Sequence, residues 1–284
     1  MMLSIKDIEG LYEGLLILKE YPPSGQKKVL LVKHKTHGEV ILKIVPDNDG
    51  RVQREIQIVT EFDLDNVPEI LDVENITISG ESYRLILEQY IEGPTLGEKL
   101  TVGKLSTVDG LRLLSDLLNV VVKLEEVAVV HRDIKPGNII CGNDGRYYLI
   151  DFGIARQLNN ASLTMTQAPV GPHTPGYGAP ELFQYRKKDI DSRADLFSIG
   201  VVLFEALTGE HPFLTGNEMD VNEIWYRTKT TIPKDFTIEG DKNLQLNGFI
   251  QTLMQKHVTR RPPSAKKALE WYEALLPTIE IRGV

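Results

Sequence analysis

The residues best suited to chemistry lie near the middle of the chain. Residues 131–138 read His-Arg-Asp-Ile-Lys-Pro-Gly-Asn, and an Asp-Phe-Gly sequence begins at Asp151. Asp133 can accept a proton from an incoming hydroxyl group, and Lys135 can stabilise charge on a transferring phosphoryl group. Asp151 and Asn138 offer the oxygen ligands that Mg²⁺ prefers. Phosphoryl transfer would use these functions, because it leaves the protein little covalent chemistry to perform.

The residues around Asp151 indicate how its carboxylate is held in place. Residues 147–150 read Tyr-Tyr-Leu-Ile, which is typical of a buried strand, and the Phe-Gly pair after Asp151 gives a flexible exit. We interpret His131 as a packing residue beside Phe152 rather than as a general base. The candidate carboxylate is therefore expected at the end of a strand.

The first third of the chain is rich in strand-like segments. Turn formers separate four apolar runs, which predict strands at residues 15–18, 29–32, 40–45 and 83–87. Between the third and fourth runs, Val52, Ile56 and Val59 recur with helical spacing. One helix is therefore expected to interrupt the strands, and it carries Glu55.

After Glu92-Gly93-Pro94 the pattern changes to helices. Residues 111–124 and 195–207 are apolar around much of a helical circumference, which predicts buried helices. Residues 262–276 open with Pro-Pro-Ser and predict a final amphipathic helix capped near Ser264. A small sheet-rich part should thus precede a larger helical part.

Composition restricts the class of protein. The 284 residues are 42% hydrophobic and 25% charged, which is typical of a globular domain, and the net charge of -8 disfavours a nucleic-acid partner. Cys141 is the single cysteine, so no internal disulfide can form. Residues 1–7 do not resemble a secretory signal, and no apolar run is long enough to cross a membrane. The expected location is the cytoplasm.

Together these motifs resemble the eukaryotic-type serine/threonine protein kinases, including their bacterial members, over about residues 11–276. The resemblance implies an α+β, two-lobed protein-kinase fold, with an antiparallel sheet and one helix in the first lobe and a mainly helical second lobe. The implied boundaries are residues 1–88 for the first lobe, 89–93 for the hinge and 94–284 for the second lobe. It also implies ATP, Mg²⁺ or alternatively Mn²⁺, and a protein substrate with a serine or threonine acceptor.

The resemblance also assigns roles to residues that precede residues 131–138, the catalytic loop that it implies. Lys43, at the end of Val-Ile-Leu-Lys, resembles the phosphate-binding lysine, and Glu55 looks like its partner on the helix, with Glu61 as a substitute. The implied catalytic residues are Lys43, Glu55, Asp133, Lys135, Asn138 and Asp151, of which Asn138 and Asp151 would hold the metal ion.

Further motifs follow the catalytic loop. Glu181 closes an Ala-Pro-Glu sequence, and the resemblance implies an ion pair with Arg261, or alternatively with Arg260. Asp195 is expected to hold the backbone of the catalytic loop. Lys135 and Thr174 resemble the serine/threonine branch, in which the position of Thr174 bonds the catalytic aspartate and lysine.

The loop that should cover the nucleotide phosphates departs from the family pattern G-x-G-x-x-G-x-V. Residues 21–29 read Tyr-Pro-Pro-Ser-Gly-Gln-Lys-Lys-Val, which keeps Gly25 and Val29 as the implied nucleotide contacts. The two prolines have no N–H group to offer a phosphate. Lys27 or Lys28 could supply positive charge instead, or the two lysines could simply form a solvated hairpin tip.

The register of the hinge is ambiguous in the sequence. Counting back from Gly93 makes Glu88 the residue that guards the adenine pocket, and Gln89 and Ile91 then offer backbone groups to adenine. Counting from the strand makes Leu87 the guard and Glu88 the first backbone contact. We favour the first count.

Regulation is expected in the segment between residues 151 and 181. Arg132 precedes the catalytic aspartate, and a phosphate on Ser162, Thr164 or Thr166 would give it an anionic partner that orders the loop. We expect autophosphorylation at Thr164 or Thr166. The implied regulatory residues are Arg132, Ser162, Thr164, Thr166 and Thr174, with Thr174 the least favoured as a phosphosite.

Two other functions compete with protein phosphorylation. The altered glycine loop would suit a pseudokinase that binds nucleotide as a scaffold, whereas Lys43, Asp133, Asn138 and Asp151 argue for transfer. A small-molecule kinase of the aminoglycoside or choline type would share an aspartate and asparagine loop. It would not be expected to carry the Ala-Pro-Glu sequence that ends at Glu181.

Overall fold

The computed structural model describes residues 8, 15–22, 27–47, 50–62, 64–78, 80–152, 156–157, 174–183 and 190–280. The chain divides into two compact units. The first, here the sheet unit, comprises residues 1–63 and 68–92, and the second, here the helical unit, comprises residues 64–67 and 93–284. The later boundary falls after Glu92, within the predicted hinge.

The sheet unit is built on an antiparallel sheet. Within the described residues the sheet has five strands in the order β1-β2-β3-β5-β4. The strands are β1 (Leu16–Glu20), β2 (Lys28–His34), β3 (Gly38–Pro46), β4 (Ile70–Ile78) and β5 (Glu81–Gln89). The four predicted strands are present as β1, β2, β3 and β5. The sequence analysis did not predict β4, whose Asp72, Glu74 and Asn75 are poor strand formers, but this strand lies at the edge of the sheet, where such residues can face solvent.

Alternation along the strands gives the sheet two distinct faces. On β3, Leu42 and Ile44 point to one face, where they pack with Leu85 and Leu87 of β5. Ile8 is fully buried against the same cluster. Lys43 lies between Leu42 and Ile44 and therefore points to the opposite face. The alternation of side chains along β3 is therefore enough to place Lys43 on the face opposite to Leu42 and Ile44.

Helix α1 (Gly50–Glu61) packs on the face of the sheet to which Lys43 points. Ile56 contacts the cluster of Val45 and Ile86, and Ile58 is fully buried. Glu55 precedes Ile56 and is only 2% exposed. The predicted helix is confirmed, and its apolar packing fixes the direction of the Glu55 carboxylate.

Where the structure describes the helical unit, it consists mainly of helices with two short strand pairs. Its helices are α2 (Leu96–Val102), α3 (Thr107–Glu126), α4 (Pro180–Phe183), α5 (Ser192–Thr208), α6 (Val221–Thr230), α7 (Gln245–Leu253) and α8 (Ala265–Leu275). Its strands are β6 (Val129–Val130), which pairs with β9 (Arg156–Gln157), and β7 (Ile139–Cys141), which pairs with β8 (Tyr147–Leu149). The predicted α+β class is confirmed.

Helices α3, α5 and α8 confirm the three helices predicted from the sequence. α5 is buried around most of its circumference. The hydroxyl of Tyr272 on α8 donates to the carbonyl of Leu111 on α3 over 2.9 Å. Ser264 caps α8 by accepting from the backbone N–H of Lys267 over 3.1 Å. Within the described residues no helix has both the length and the apolar character needed to cross a membrane.

Residues 64–67 belong to the helical unit although they lie between α1 and β4. Asn66 has a backbone φ of 59°, in the left-handed region that asparagine tolerates better than most residues. Its carbonyl accepts from the backbone N–H of Leu149 over 2.9 Å, and its side-chain amide donates to the carbonyl of Tyr147 over 3.0 Å. Asn66 therefore hydrogen-bonds to β8, the strand that leads to Asp151.

A buried ion pair joins α4 to the segment before α8. The two terminal guanidinium nitrogens of Arg261 contact the carboxylate of Glu181, at 2.5 and 2.9 Å, and the Arg261 side chain is 0% exposed. Arg261 also donates to the carbonyls of Gln255 and Arg193, each over 2.8 Å. Of the two arginines that the sequence left open, Arg261 is the one that contacts Glu181.

We predict that Arg261→Lys lowers the free energy of unfolding by about 3 kcal/mol, because lysine cannot form the bidentate pair and leaves buried acceptors without donors. Chemical denaturation of the purified protein measures this change. Arg260→Lys is the matched control, since Arg260 is exposed, and it should change stability by about 0.5 kcal/mol or less. Equal losses in the two variants would contradict the structural role assigned to Arg261.

Candidate active site

The candidate site residues in the sheet unit form a buried cluster of charges around Lys43. The ammonium nitrogen of Lys43 lies 2.8 Å from Oε1 of Glu55 and 2.9 to 3.0 Å from both carboxylate oxygens of Glu88. Lys43, Glu55 and Glu88 are 8%, 2% and 7% exposed. One lysine is thus held between two carboxylates that come from different elements, α1 and β5.

The sheet register explains why these groups meet. Lys43 is directly paired with Val29 on β2 and with Ile86 on β5, so their side chains share a face. Glu88 is two residues after Ile86 and points to that face as well. Packing of α1 on this face adds Glu55.

The electrostatics of the cluster follow from burial and pairing. Burial alone would lower the pKa of Lys43, but the carboxylates of Glu55 and Glu88 raise it above its ordinary value. Burial raises the pKa of Glu88, and Glu55 adds to this effect, whereas Lys43 and, more weakly, Lys27 oppose it. Lys43 therefore stays charged although it is buried.

Lys27 is a fourth member of the cluster. Its ammonium nitrogen lies 3.0 Å from Oε2 of Glu55, so the two oxygens of Glu55 contact two different lysines. The side chain of Lys27 is only 16% exposed. Lys28 instead contacts Glu20, at 3.2 Å. The side chain of Lys28 is 15% exposed, so the interpretation as a solvated hairpin tip is wrong for both lysines.

The hinge register that the sequence left open can be compared with the directions of the side chains. Glu88 is on the face of Lys43, whereas Leu87 packs in the apolar cluster on the opposite face. The backbone N–H of Gln89 donates to the carbonyl of Glu69 over 2.8 Å. This arrangement agrees with counting back from Gly93, in which Glu88 is the inward residue. The backbone of Gln89 and Ile91 stays the proposed adenine contact.

The candidate site residues in the helical unit converge on Asp133. The hydroxyl and backbone N–H of Thr174 both donate to Oδ1 of Asp133, over 2.7 and 3.1 Å. Lys135 lies 2.9 Å from Oδ2 of Asp133 and donates to the Thr174 hydroxyl over 2.6 Å. Asp133, Lys135 and Thr174 therefore form a closed triangle, which fixes the direction of the carboxylate.

Asn138 holds the other side of Asp133. Its amide nitrogen donates to Oδ2 of Asp133 over 2.9 Å and to the Asp133 carbonyl over 3.0 Å. Because the amide nitrogen of Asn138 faces Asp133, its amide oxygen points away from Asp133. This oxygen is a neutral ligand of the type that hard cations bind. Asp151, two residues after the end of β8, adds a carboxylate. These residue types fit a divalent metal ion.

A buried carboxylate on α5 organises the backbone before Asp133. The two oxygens of Asp195 accept from the backbone N–H groups of His131 and Arg132, each over 2.8 Å. Burial raises the pKa of Asp195 to about 7, although these two donors oppose the shift. Arg132 itself has a φ of 68°, a conformation that side chains rarely adopt. Asp195 thus stabilises a strained turn next to the candidate catalytic residue.

His131 is a packing residue, as the sequence suggested. It is 0% exposed, and its ring lies edge-on to the ring of Phe152 with centroids 4.7 Å apart. Its Nδ1 accepts from the backbone N–H of Asp133 over 3.2 Å. His131 therefore links the segments that carry Asp133 and Asp151 through packing and one backbone hydrogen bond.

Several candidate residues lie outside the described part of the chain. They are Gly25, Ser162, Thr164 and Thr166. Val29, Ile91, Arg132 and Thr174 are described, and only Thr174 among them contacts the Asp133 carboxylate. Sequence reasoning missed the ion pairs of Glu88 and Lys27. For Glu88, the signal in the sequence was a glutamate at the end of the apolar run of β5. For Lys27, the signal was its position two residues before Val29, which places both side chains on one face of a strand.

Comparisons with known proteins place the chain among protein kinases. The family model of the protein kinase domain matches residues 25–271. The chain is 35% identical over 197 residues to a probable serine/threonine-protein kinase PknB of Bifidobacterium longum, covering 67% of this chain and 28% of that protein. It is 33% identical over 221 residues to the serine/threonine-protein kinase PrkC of Bacillus subtilis, covering 75% of this chain and 32% of that protein.

A further relative gives the same picture. The chain is 28% identical over 225 residues to a probable serine/threonine-protein kinase PknB of Corynebacterium glutamicum, covering 78% of this chain and 34% of that protein. The matched part spans about a third of the length of these curated relatives.

We predict that Asp195→Asn lowers the free energy of unfolding by about 1–3 kcal/mol. Asparagine replaces one of the two accepting oxygens with an NH₂ group, which cannot accept a hydrogen bond from the backbone N–H that it faces. Urea denaturation followed by tryptophan fluorescence measures this change.

Glu205→Gln is the matched control on the same helix. Tyr177 donates to Glu205 over 2.7 Å, and a glutamine oxygen can still accept this bond, so the loss should be about 0.5 kcal/mol or less. If Asp195→Asn were as harmless as this control, the two backbone bonds would not support the turn at Arg132.

Proposed function

The chain belongs to the protein kinase family, and we propose that it transfers the γ-phosphoryl group of ATP to serine or threonine hydroxyl groups of proteins. The observation that carries this proposal is the closed network of Asp133, Lys135, Thr174 and Asn138. Such a network orients a carboxylate, a cation and an amide oxygen toward one reaction, which a purely structural loop does not need.

Asp133 is proposed to orient the acceptor hydroxyl group. Thr174 makes two contacts with Oδ1, and Lys135 and Asn138 each contact Oδ2, so the direction of the carboxylate is fixed. An incoming hydroxyl group would replace or share one of these contacts. In the same proposal, Asp133 accepts the hydroxyl proton while the new oxygen–phosphorus bond forms and the bond between the γ-phosphorus and the β–γ bridging oxygen breaks, which releases ADP. Lys135, which lies 2.9 Å from Oδ2 of Asp133, is proposed to neutralise charge on the transferring group.

Asn138 and Asp151 are the residues that would hold the metal ion. The metal would neutralise negative charge on the phosphates. Asn138 keeps its amide oxygen available because its nitrogen is bound to Asp133. Mg²⁺ is the proposed ion, with Mn²⁺ as an alternative, since both accept oxygen ligands.

Lys43 and Glu55 are proposed to bind and orient the nucleotide phosphates from the sheet unit. Their contact of 2.8 Å keeps the ammonium group charged and fixed in direction. The backbones of Gln89 and Ile91 are proposed to hydrogen-bond adenine, and Gly25 and Val29 are proposed to contact the nucleotide. Glu88 then lines the inner side of the adenine site.

The proposal also covers the substrate, the partners and the cellular location of the protein. We propose a protein substrate and a cytoplasmic location, which a single buried cysteine and the absence of a disulfide support. The net charge of -8 supports a partner other than a nucleic acid. Regulation is proposed to act through Arg132 and the segment between residues 151 and 181.

We predict that Asp133→Asn and Lys43→Met each lower transfer of radiolabelled phosphate from ATP to generic protein substrates by about 100-fold or more, because each removes a charge used in the reaction. Asp235→Asn and Lys33→Met are exposed controls and should keep wild-type rates. A wild-type protein that binds ATP without transferring phosphate would favour a scaffold function instead. Transfer that persisted in both site variants would refute the assigned roles.

We also predict that wild-type protein incubated with ATP and Mg²⁺ acquires phosphate on Thr164 or Thr166, or on Ser162, because these residues could supply an anion to Arg132. Mass spectrometry of proteolytic peptides locates the phosphate. The Asp133→Asn variant is the control and should stay unmodified. If wild-type protein transfers phosphate to substrates but carries none on these three residues, the autophosphorylation hypothesis fails.

A further inference from the structure

Lys27 stands where the family pattern of the phosphate-covering loop has a glycine. If Val29 is taken as the valine of G-x-G-x-x-G-x-V, the third glycine falls at position 27. A lysine there cannot allow the close backbone approach that glycine gives. It does carry a charge on a long side chain, so a different use of this position has to be considered.

The pleat of β2 determines which lysine can reach the site. Val29 is directly paired with Lys43, and Lys27 lies two residues before Val29, so all three side chains share one face. The contact of Lys27 with Glu55 agrees with this direction. Lys28 points to the other face and contacts Glu20. The sequence offered two equivalent lysines, and the register distinguishes them.

The charges around Lys43 explain what a second lysine would add. An ammonium group has three N–H donors, and Lys43 has three carboxylate oxygens within 3.0 Å, one from Glu55 and two from Glu88. Lys43 with two carboxylates has a net charge of about -1, which disfavours a phosphate chain. Lys27 brings the four-residue cluster to neutrality.

We propose that Lys27 is a second phosphate-binding lysine, which shares Glu55 with Lys43 and supplies the positive charge that Glu88 offsets at Lys43. The proposal rests on the function proposed above and names a further residue of the same nucleotide site. One carboxylate bridges the two ammonium groups, so they are close enough to meet the same polyphosphate chain. The side chain of Lys27 thus replaces backbone N–H groups that Pro22 and Pro23 lack.

The test compares a ligand that has phosphates with one that does not. Isothermal titration calorimetry measures the affinity of the wild-type chain and of Lys27→Gln for Mg²⁺-ADP and for adenosine. Lys27→Gln should weaken Mg²⁺-ADP about tenfold, which equals about 1.4 kcal/mol, and leave adenosine unchanged. Lys27→Arg keeps the charge and should bind Mg²⁺-ADP within about twofold of wild type. Lys28→Gln, the neighbouring lysine on the opposite face, is the matched control and should behave as wild type.

The outcomes separate the possible explanations. If Lys27→Gln binds Mg²⁺-ADP as tightly as wild type, Lys27 does not bind phosphate and the inference is overturned. If Mg²⁺-ADP and adenosine weaken by the same factor, Lys27 acts only by supporting Glu55, and the inference is overturned as well. If the wild-type chain itself prefers adenosine to Mg²⁺-ADP, the proposed function fails, and the role of Lys27 fails with it.

Discussion

A charge removed from water must be met by an opposite charge or by hydrogen-bond donors, and each functional part of this structure depends on that constraint. In the sheet unit it draws together Lys43, Glu55 and Glu88, because none of them could be buried alone. In the helical unit it sets the carboxylate of Asp195 against two backbone N–H groups. The contacts that compensate these buried charges also fix the directions of the Lys43 ammonium group and of the backbone next to Asp133.

The sequence predicted the parts of the structure in which chemistry and local pattern coincide. Asp133, Asn138 and Asp151 were recognisable from one short stretch, and the helix that carries Glu55 followed from apolar spacing. Strand β4 could not be predicted in this way, because its acidic residues oppose strand propensity and are tolerated only at a sheet edge. The partners of Lys27 were hidden for another reason: they depend on which face of β2 is turned toward α1, and only the sheet register gives that.

The altered phosphate loop and the additional charges around Lys43 are related, because Lys27 belongs to both. Pro22 and Pro23 have no backbone N–H to donate, and Glu88 places a second carboxylate against Lys43. Lys27 opposes both effects with a single charge. The charge of Lys27 offsets the second carboxylate at Lys43, so the four charges on this face of the sheet sum to zero.

The excursion of residues 64–67 into the helical unit has a consequence for any attempt to separate the two units by cutting the chain. The chain passes from one unit to the other at three places, after residues 63, 67 and 92. A single recombination event cannot exchange the sheet unit as an intact cassette, since a cut at residue 92 would carry Asn66 away from Tyr147 and Leu149, its partners on β8. A cut at residue 92 would therefore leave the carbonyl of Tyr147 and the backbone N–H of Leu149 without the groups of Asn66 that they bond in the intact chain.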